Sequence, residues 1–439
     1  MMDWRQLLSA QRLGHKGAEP VTPSRNPFQK DWDRVVFSSA FRRLQDKTQV
    51  HSLSDNDYVR TRLTHSLEVS SVGRSLGAMI GETIVARQAM SGISAAEFGH
   101  IVAAACLAHD IGNPPFGHFG EATIRHWFAD AAGGAAFLAP LSAAQRQDFL
   151  RFEGNAQGFR ILSRLQNWRN AGGLRLTCAT LGTFAKYPHD SQFGEGRKFG
   201  FFQAEAALFA EVAGEIGLLP RTAGAGHGWC RHPLVFLVEA ADDICYRVID
   251  LEDGYKIGRL SFAEAEELLK QLVGRVPPRY SEIEEKGWRI AYLRAKAIGR
   301  LAEDAATVFR DCEAAILAGR RETDLLADLP AHRTLDEIAE LTRNRIFMTR
   351  ERYQTEVAGG EILTSLLAAF AGALQERETA GGLAGVSPRA RALLNLLPDA
   401  ETIPLTRYEW LLAVTDFVSG MTDSYALTQF RRLKGLARD

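Results

Sequence analysis

The residues best able to do chemistry stand in the run LAHDIGNPPFGHFGE, residues 107–121. There His109 and Asp110 end an apolar helical stretch, and Gly112, Pro114 and Pro115 stop it at once. Adjacent His and Asp at a helix terminus can turn toward one point, because the backbone leaves helical geometry there. A lone pair of this kind is usually structural, so its surroundings decide its weight. A second histidine, His65, stands early in a helical pattern. The run VEAADDICYRVID, residues 238–250, places Asp242, Tyr246 and Asp250 four residues apart. That spacing puts all three on one helical face. An acid facing inward on an apolar helix is costly unless it is paired or bound to a metal. Together His65, His109, Asp110 and Asp242 supply two imidazoles and two carboxylates. This mixed set suits one divalent ion such as Mn²⁺, Mg²⁺, Fe²⁺ or Co²⁺, with positions left for water and substrate. A set without thiolate argues against a closed structural zinc site. The five cysteines are scattered and never form Cys-x-x-Cys. They read as reduced thiols, with Cys106 and Cys245 in the core.

Helices must position these groups. From residue 64 the apolar residues Leu67, Val69, Val72, Leu76, Met79 and Ile80 recur near helical period. Ser94 caps the next helix, with Glu97 as its capping-box partner. Further helical patterns run over 155–166, 203–217, 234–251, 262–272, 288–319, 335–348, 353–375, 389–397 and 407–436. Residues 173–183 fit either a short strand or another helix. Segments 130–142, 220–232 and 376–388 read as loops, being rich in Gly, Pro, Ala and polar residues. The expected fold is all-α, with at most one small hairpin. A composition shift near Gly258 divides the chain into 1–257, rich in His and Asp, and a helical C-terminal region, 258–439.

Composition narrows the function classes. Over 439 residues, 52 Lys and Arg balance 53 Asp and Glu, a formal net charge of -1. A neutral total argues against binding nucleic acid by bulk charge, though not against a local basic groove. The apolar run from Ile362 is too short to span a bilayer, which needs about 18 residues. The N-terminus lacks the continuous apolar core of a secretory signal. A cytoplasmic location and no membrane are the expectation.

The order His, His-Asp, Asp resembles the HD superfamily of metal-dependent phosphohydrolases. The flanking runs FRRLQDKTQV, RTRLTHSLEVS, FEGNAQGFRIL, TFAKYP, EAADDICYRVIDLEDG and DFVSGMTDSYAL resemble its deoxynucleoside-triphosphate triphosphohydrolase branch, the dGTPase-like proteins, along nearly the whole chain. The resemblance implies an HD helical core with an added helical C-terminal region, and a metal held by His65, His109, Asp110 and Asp242. It implies a catalytic pair in His118 and Glu121, three residues apart at a helix start. It assigns Arg62, one turn before His65, to phosphate, and Gln49, Tyr246 and Asp250 to the deoxyribose. Asn155, Lys186 and Lys198 are implied to hold the triphosphate. The implied reaction takes a deoxynucleoside 5′-triphosphate (dGTP or another dNTP) to deoxynucleoside and inorganic tripolyphosphate, by water attack at the α-phosphorus. The remaining histidines show no clear second ligand set, so one metal ion is expected. The branch also implies a homo-oligomer, commonly a hexamer.

Two other readings share these residues. An HD phosphodiesterase or nucleotidase uses the same metal set but does not need Gln49, Tyr246 and Asp250 around a sugar. A dNTP-sensing protein that binds single-stranded nucleic acid would use the basic clusters at Arg34, Arg42 and Arg43 and in residues 343–353.

Overall fold

The apolar pattern that opens near residue 64 folds, in this computed structural model, into helix α1, Arg62–Gln88. The structure describes residues 1–15, 17, 25–47, 60–88, 92–194, 196–398 and 406–436. Helix α2, Ala95–Ala108, opens on the expected capping box, the Ser94 backbone N–H donating to Glu97 Oε2 at 2.8 Å. The two helices cross at very close range. A Cβ on Gly77 would come within 2.6 Å of the Phe98 carbonyl oxygen, and one on Gly99 within 2.8 Å of the Arg74 carbonyl oxygen. Only glycine permits that approach, and it brings the start of α1 near the end of α2.

The principal elements after these are α3, Gly117–Ala129; α4, Gly154–Arg160; and a hairpin of β1, Pro220–Ala223, and β2, Gly226–Trp229. Then come α5, Val235–Lys256; α6, Lys286–Leu317; α7, Arg350–Thr379; α8, Arg407–Ser419; and α9, Asp423–Leu433. Among the described residues the fold is all-α apart from one antiparallel hairpin, Pro220 pairing with Trp229.

Local details differ from the sequence reading in several places, among them a short helix, Ala135–Leu138, in a stretch read as a loop, and one open alternative is decided. The hairpin lies in 220–232, read as a loop, because its turn and second strand are Gly-rich and neither strand shows apolar alternation. Its two-residue turn starts at Gly224, whose φ is 64°. Residues 173–183 yield a helix, Cys178–Phe184, capped by Thr177. The stretch 407–436 is two helices, not one. Gly420 follows the first, and Thr422 caps the second, its side chain accepting from the Tyr425 N–H at 3.2 Å.

Buried apolar side chains form two clusters. The first takes Val69 and Leu76 of α1, Ile101 and Cys106 of α2, Ile244 and Val248 of α5, and Leu293 and Leu301 of α6. The second takes Ile124 and Phe128 of α3, Ile362 and Phe370 of α7, Leu411 and Val418 of α8, and Ala426 of α9. Each cluster draws on both sides of position 257. Ile111 belongs to the first and Phe116 to the second, so the turn between them crosses the seam between two cores. The apolar run from Ile362 sits in a longer segment, Arg352–Thr379, that is long and apolar enough by composition to cross a membrane. Its Ile362, Leu363, Leu366 and Phe370 are buried in the second cluster, which accounts for their apolarity. All five cysteines are unpaired, and Cys106 and Cys245 are in the first core, as expected.

A buried acid ties α8 to this frame. Asp148 accepts from Ser191 Oγ and Tyr408 Oη, each at 2.5 Å, and from the Gln203 N–H at 2.9 Å. Burial pushes its pKa up to about 7. An unfolded Asp ionises near ~3.9, so between about pH 4 and 7 the unfolded chain loses this proton first and the folded state loses stability. Asp148→Asn is expected to flatten that fall in urea unfolding curves taken across the same range. A slope equal to wild type would refute the assignment.

Candidate active site

The end of α2 and the start of α1 set the first two ligand candidates. The Nδ1–H of His109 donates to the Cys106 carbonyl at 2.6 Å, which fixes the tautomer and leaves Nε2 with a free lone pair. His65, buried on the first turns of α1, places Nε2 3.0 Å from Asp242 Oδ1. His109 Nε2 lies 3.6 Å from the same oxygen. These three donor atoms fall within 4.8 Å of one another. Two imidazole nitrogens and one carboxylate oxygen at that spacing are a chemically sound cradle for a divalent cation. Burial opposes a charged His65 imidazole, but the hydrogen bond and charge of Asp242 outweigh it and raise its pKa. A positive charge is therefore favoured at the centre of this group.

Asp110 stands beside the cradle, with Oδ1 3.7 Å from His109 Nε2. Its two oxygens are engaged elsewhere: Arg62 Nη1 donates to Oδ2 at 2.7 Å, and Asn113 Nδ2 donates to Oδ1 at 2.5 Å. Burial would raise its pKa, yet Arg62, His109 and His65 together hold it far below the ordinary carboxylate range. Arg62 is itself buried, and its Nε has no hydrogen-bond partner, which leaves a donor for an anion.

The polypeptide then turns sharply. Phe116 and Gly117 both take left-handed backbone, with φ of 61° and 58°. The non-glycine Phe116 costs about 1–2 kcal/mol in that conformation. At Gly117 a Cβ would come within 2.7 Å of Arg62 Nη2, whose guanidinium is pinned by Asp110. This turn starts α3 and presents His118, whose side chain is 75 % exposed, beside the buried Glu121. His118 Nδ1–H donates to Glu121 Oε2 at 3.2 Å, leaving Nε2 open. Glu121 Oε1 accepts from the Gly154 N–H, the first residue of α4, at 2.9 Å. Burial alone would raise the Glu121 pKa, but His118, Lys198 and the Gly154 N–H keep it below the ordinary value.

The remaining sequence-derived residues fall in three groups. Tyr246 and Asp250 share a face of α5 with Asp242, as the four-residue spacing requires. Asp250 is buried, its Oδ2 has no hydrogen-bond partner, and burial with the nearby Asp253 raises its pKa well above the carboxylate range. Asn155, Lys186 and Lys198 each rest on a carboxylate. Asn155 Nδ2 donates to Glu153 Oε2 at 2.8 Å, and Lys198 pairs with Glu153 and lies 4.0 Å from Glu121. Lys186 pairs with Glu239 at 3.4 Å, within charge range of Asp242. Gln49 lies outside the described residues. In the basic clusters, Arg34 donates to the Leu174 and Arg175 carbonyls, Arg345 pairs with Glu264, and Arg352 with Glu356.

Sequence reasoning missed several groups that the fold brings here. Asn113 braces Asp110, and Arg125, one turn after Glu121, lies 3.8 Å from its carboxylate. The i,i+4 spacing was the signal for Arg125. Lys47, buried, donates to the Asn113 carbonyl at 2.5 Å and the Ser419 carbonyl at 3.0 Å. Nothing local in the sequence marks Lys47, because both partners are distant in the chain.

Comparison with known proteins shows what the chain is similar to. Residues 62–141 match the family model described as HD domain. The chain is 45% identical to a deoxyguanosinetriphosphate triphosphohydrolase-like protein of Synechocystis sp., over 99% of this chain and 100% of that protein. It is 36% identical to a protein of the same description from Listeria monocytogenes, over 99% and 100% of the two chains. It is 32% identical to a deoxyguanosinetriphosphate triphosphohydrolase of Klebsiella pneumoniae, over 92% and 93%.

Proposed function

The chain belongs to the deoxyguanosinetriphosphate triphosphohydrolase-like family of HD-domain, metal-dependent hydrolases, and from that premise we propose that it converts deoxynucleoside 5′-triphosphates to deoxynucleoside and inorganic tripolyphosphate. The observation that carries this reading is the face of α5. There Asp242 touches both imidazoles, and two turns further Asp250 holds a buried carboxyl oxygen without a hydrogen-bond partner. A cation site and an unmet acceptor on one helical face suit a substrate that presents a phosphate to the first and a sugar hydroxyl to the second. Tyr246, between them, is the group proposed to crowd C2′ and exclude ribonucleotides.

His65, His109, Asp110 and Asp242 would hold the divalent ion, Mn²⁺ or Mg²⁺ foremost. When bound there, it supplies charge neutralisation at the α-phosphate and a more acidic water. Arg62 offers its unpartnered Nε–H to phosphate oxygen, and Lys186 and Lys198 add positive charge for the β- and γ-phosphates. Water oxygen bonds to the α-phosphorus, the bond from phosphorus to the 5′-oxygen breaks, and that oxygen takes up a proton. His118, held by Glu121 through Nδ1, uses Nε2 to remove a proton from the water or to deliver one to the 5′-oxygen.

Product analysis tests the reading. Each dNTP, alone and in mixtures, is incubated with Mn²⁺ or Mg²⁺, with GTP as the ribonucleotide control. Deoxynucleoside and tripolyphosphate are the expected products. Release of dGDP or dGMP from dGTP would overturn it.

A further inference from the structure

The run GMTD, residues 420–423, plays no part in the reaction above, yet it reaches the turn that carries His118. It forms the junction between α8 and α9. Asp423, the first residue of α9, is buried, and its Oδ1 accepts a hydrogen bond from the Phe116 N–H at 3.0 Å. Just before the junction, the Ser419 carbonyl accepts from Lys47, which also holds the Asn113 carbonyl. One short stretch of the C-terminal region thus grips both ends of the turn 113–117.

The Phe116 contact matters most. Phe116 precedes α3 in left-handed backbone, a conformation that its own propensity disfavours and that persists only where the surroundings over-determine it. Its N–H is buried at a helix start, where no intrahelical acceptor exists, so an unmade bond there would be costly. A carboxylate at that place also meets the positive end of α3. The ring lies close against Gly359 of α7, where a Cβ would come within 2.7 Å of it.

We propose that Asp423 is a positioning residue. Its carboxylate holds the Phe116 N–H, and with it the left-handed step that sets the direction in which α3 carries His118 and Glu121. The inference rests on the role given to His118 and Glu121 above. The turn that leads to His118 is thereby tied to α9: residues 116 and 423 are joined although 307 positions separate them.

The test compares Asp423→Ala, Asp423→Asn and His118→Ala as full-length protein with Mn²⁺ and dGTP. Hydrogen exchange of the peptide spanning residues 111–121 is measured without substrate. Asp423→Ala is expected to lower kcat roughly 30-fold, within the cost of a small misplacement of catalytic groups, with KM within about twofold and faster exchange in that peptide. Asn keeps an acceptor oxygen in place, so Asp423→Asn should restore kcat to within about threefold and restore slow exchange. If the alanine variant does not fold, Asp423→Ser, too short to reach Phe116, carries the same expectation. Wild-type kcat or unchanged exchange in the Ala or Ser variant, beside an inactive His118→Ala, would overturn the positioning role alone. So would an Asn variant as impaired as Ala. A fully active His118→Ala would instead overturn the underlying role of His118.

Discussion

Replacing Asp242 with alanine is expected to abolish stoichiometric Mn²⁺ binding and to lower turnover about 1000-fold or more. Asp242 Oδ1 lies 3.0 Å from His65 and 3.6 Å from His109. It is also the only carboxylate in the three-residue donor group found among the described residues. Without it, Asp110 is the carboxylate left beside the imidazoles, and its two oxygens are engaged by Arg62 and Asn113. Several kcal/mol of transition-state stabilisation from a bound cation corresponds to about three decades in rate at ~1.4 kcal/mol per decade. The fold should survive, because the Asp242 side chain is one-third exposed and its truncation opens no apolar core. Calorimetric titration with MnCl₂ and a discontinuous product assay read the two effects separately. Retention of Mn²⁺ affinity by the variant would remove Asp242 from the ligand set. Retained affinity with lost turnover would confine its role to chemistry.

The second large effect belongs to the pair on α3. His118→Ala is expected to lower kcat by about 100- to 10,000-fold, the usual range for loss of a positioned acid or base, with little change in KM. His118 is too exposed for its removal to destabilise the fold. Glu121→Gln should cost less, about tenfold to a hundredfold in kcat. It removes the charge that orients the imidazole while keeping an oxygen for the Gly154 N–H. The pH profile discriminates further. The limb of the kcat profile that reports proton transfer should disappear in His118→Ala and persist in Glu121→Gln. A His118→Ala variant within threefold of wild type would end the proposal that this residue moves the proton. The Asp242 and His118 variants also differ in a way that needs no kinetics, since only the first should lose Mn²⁺.

The secondary structure was legible because its signals are local. Ser94 with Glu97, the apolar period of α1, and the Gly and Pro that stop α2 are all readable within one or two turns. The same holds for Asp242, Tyr246 and Asp250 on one helical face, and for His118 with Glu121. Where local signals were weak, the reading slipped. The Gly-rich hairpin shows no alternation, and Gly420 with Thr422 is a short break inside an otherwise continuous apolar pattern.

By itself, then, the sequence determined which residue types were on offer, their helical faces, and, through the HD resemblance, which four were candidates to share an ion. Tertiary structure alone decided that His65 and Asp242, 177 positions apart, stand 3.0 Å from each other. It alone engaged Asp110 with Arg62 and Asn113, and gave contacts at the turn to Lys47 and Asp423, which lie in runs quoted for the resemblance without a role of their own. The reason is physical. Helical periodicity fixes geometry over a few residues, whereas contacts between distant residues depend on how closely α1 and α2 cross at Gly77 and Gly99. They depend equally on how two separate apolar cores meet at the turn between Ile111 and Phe116.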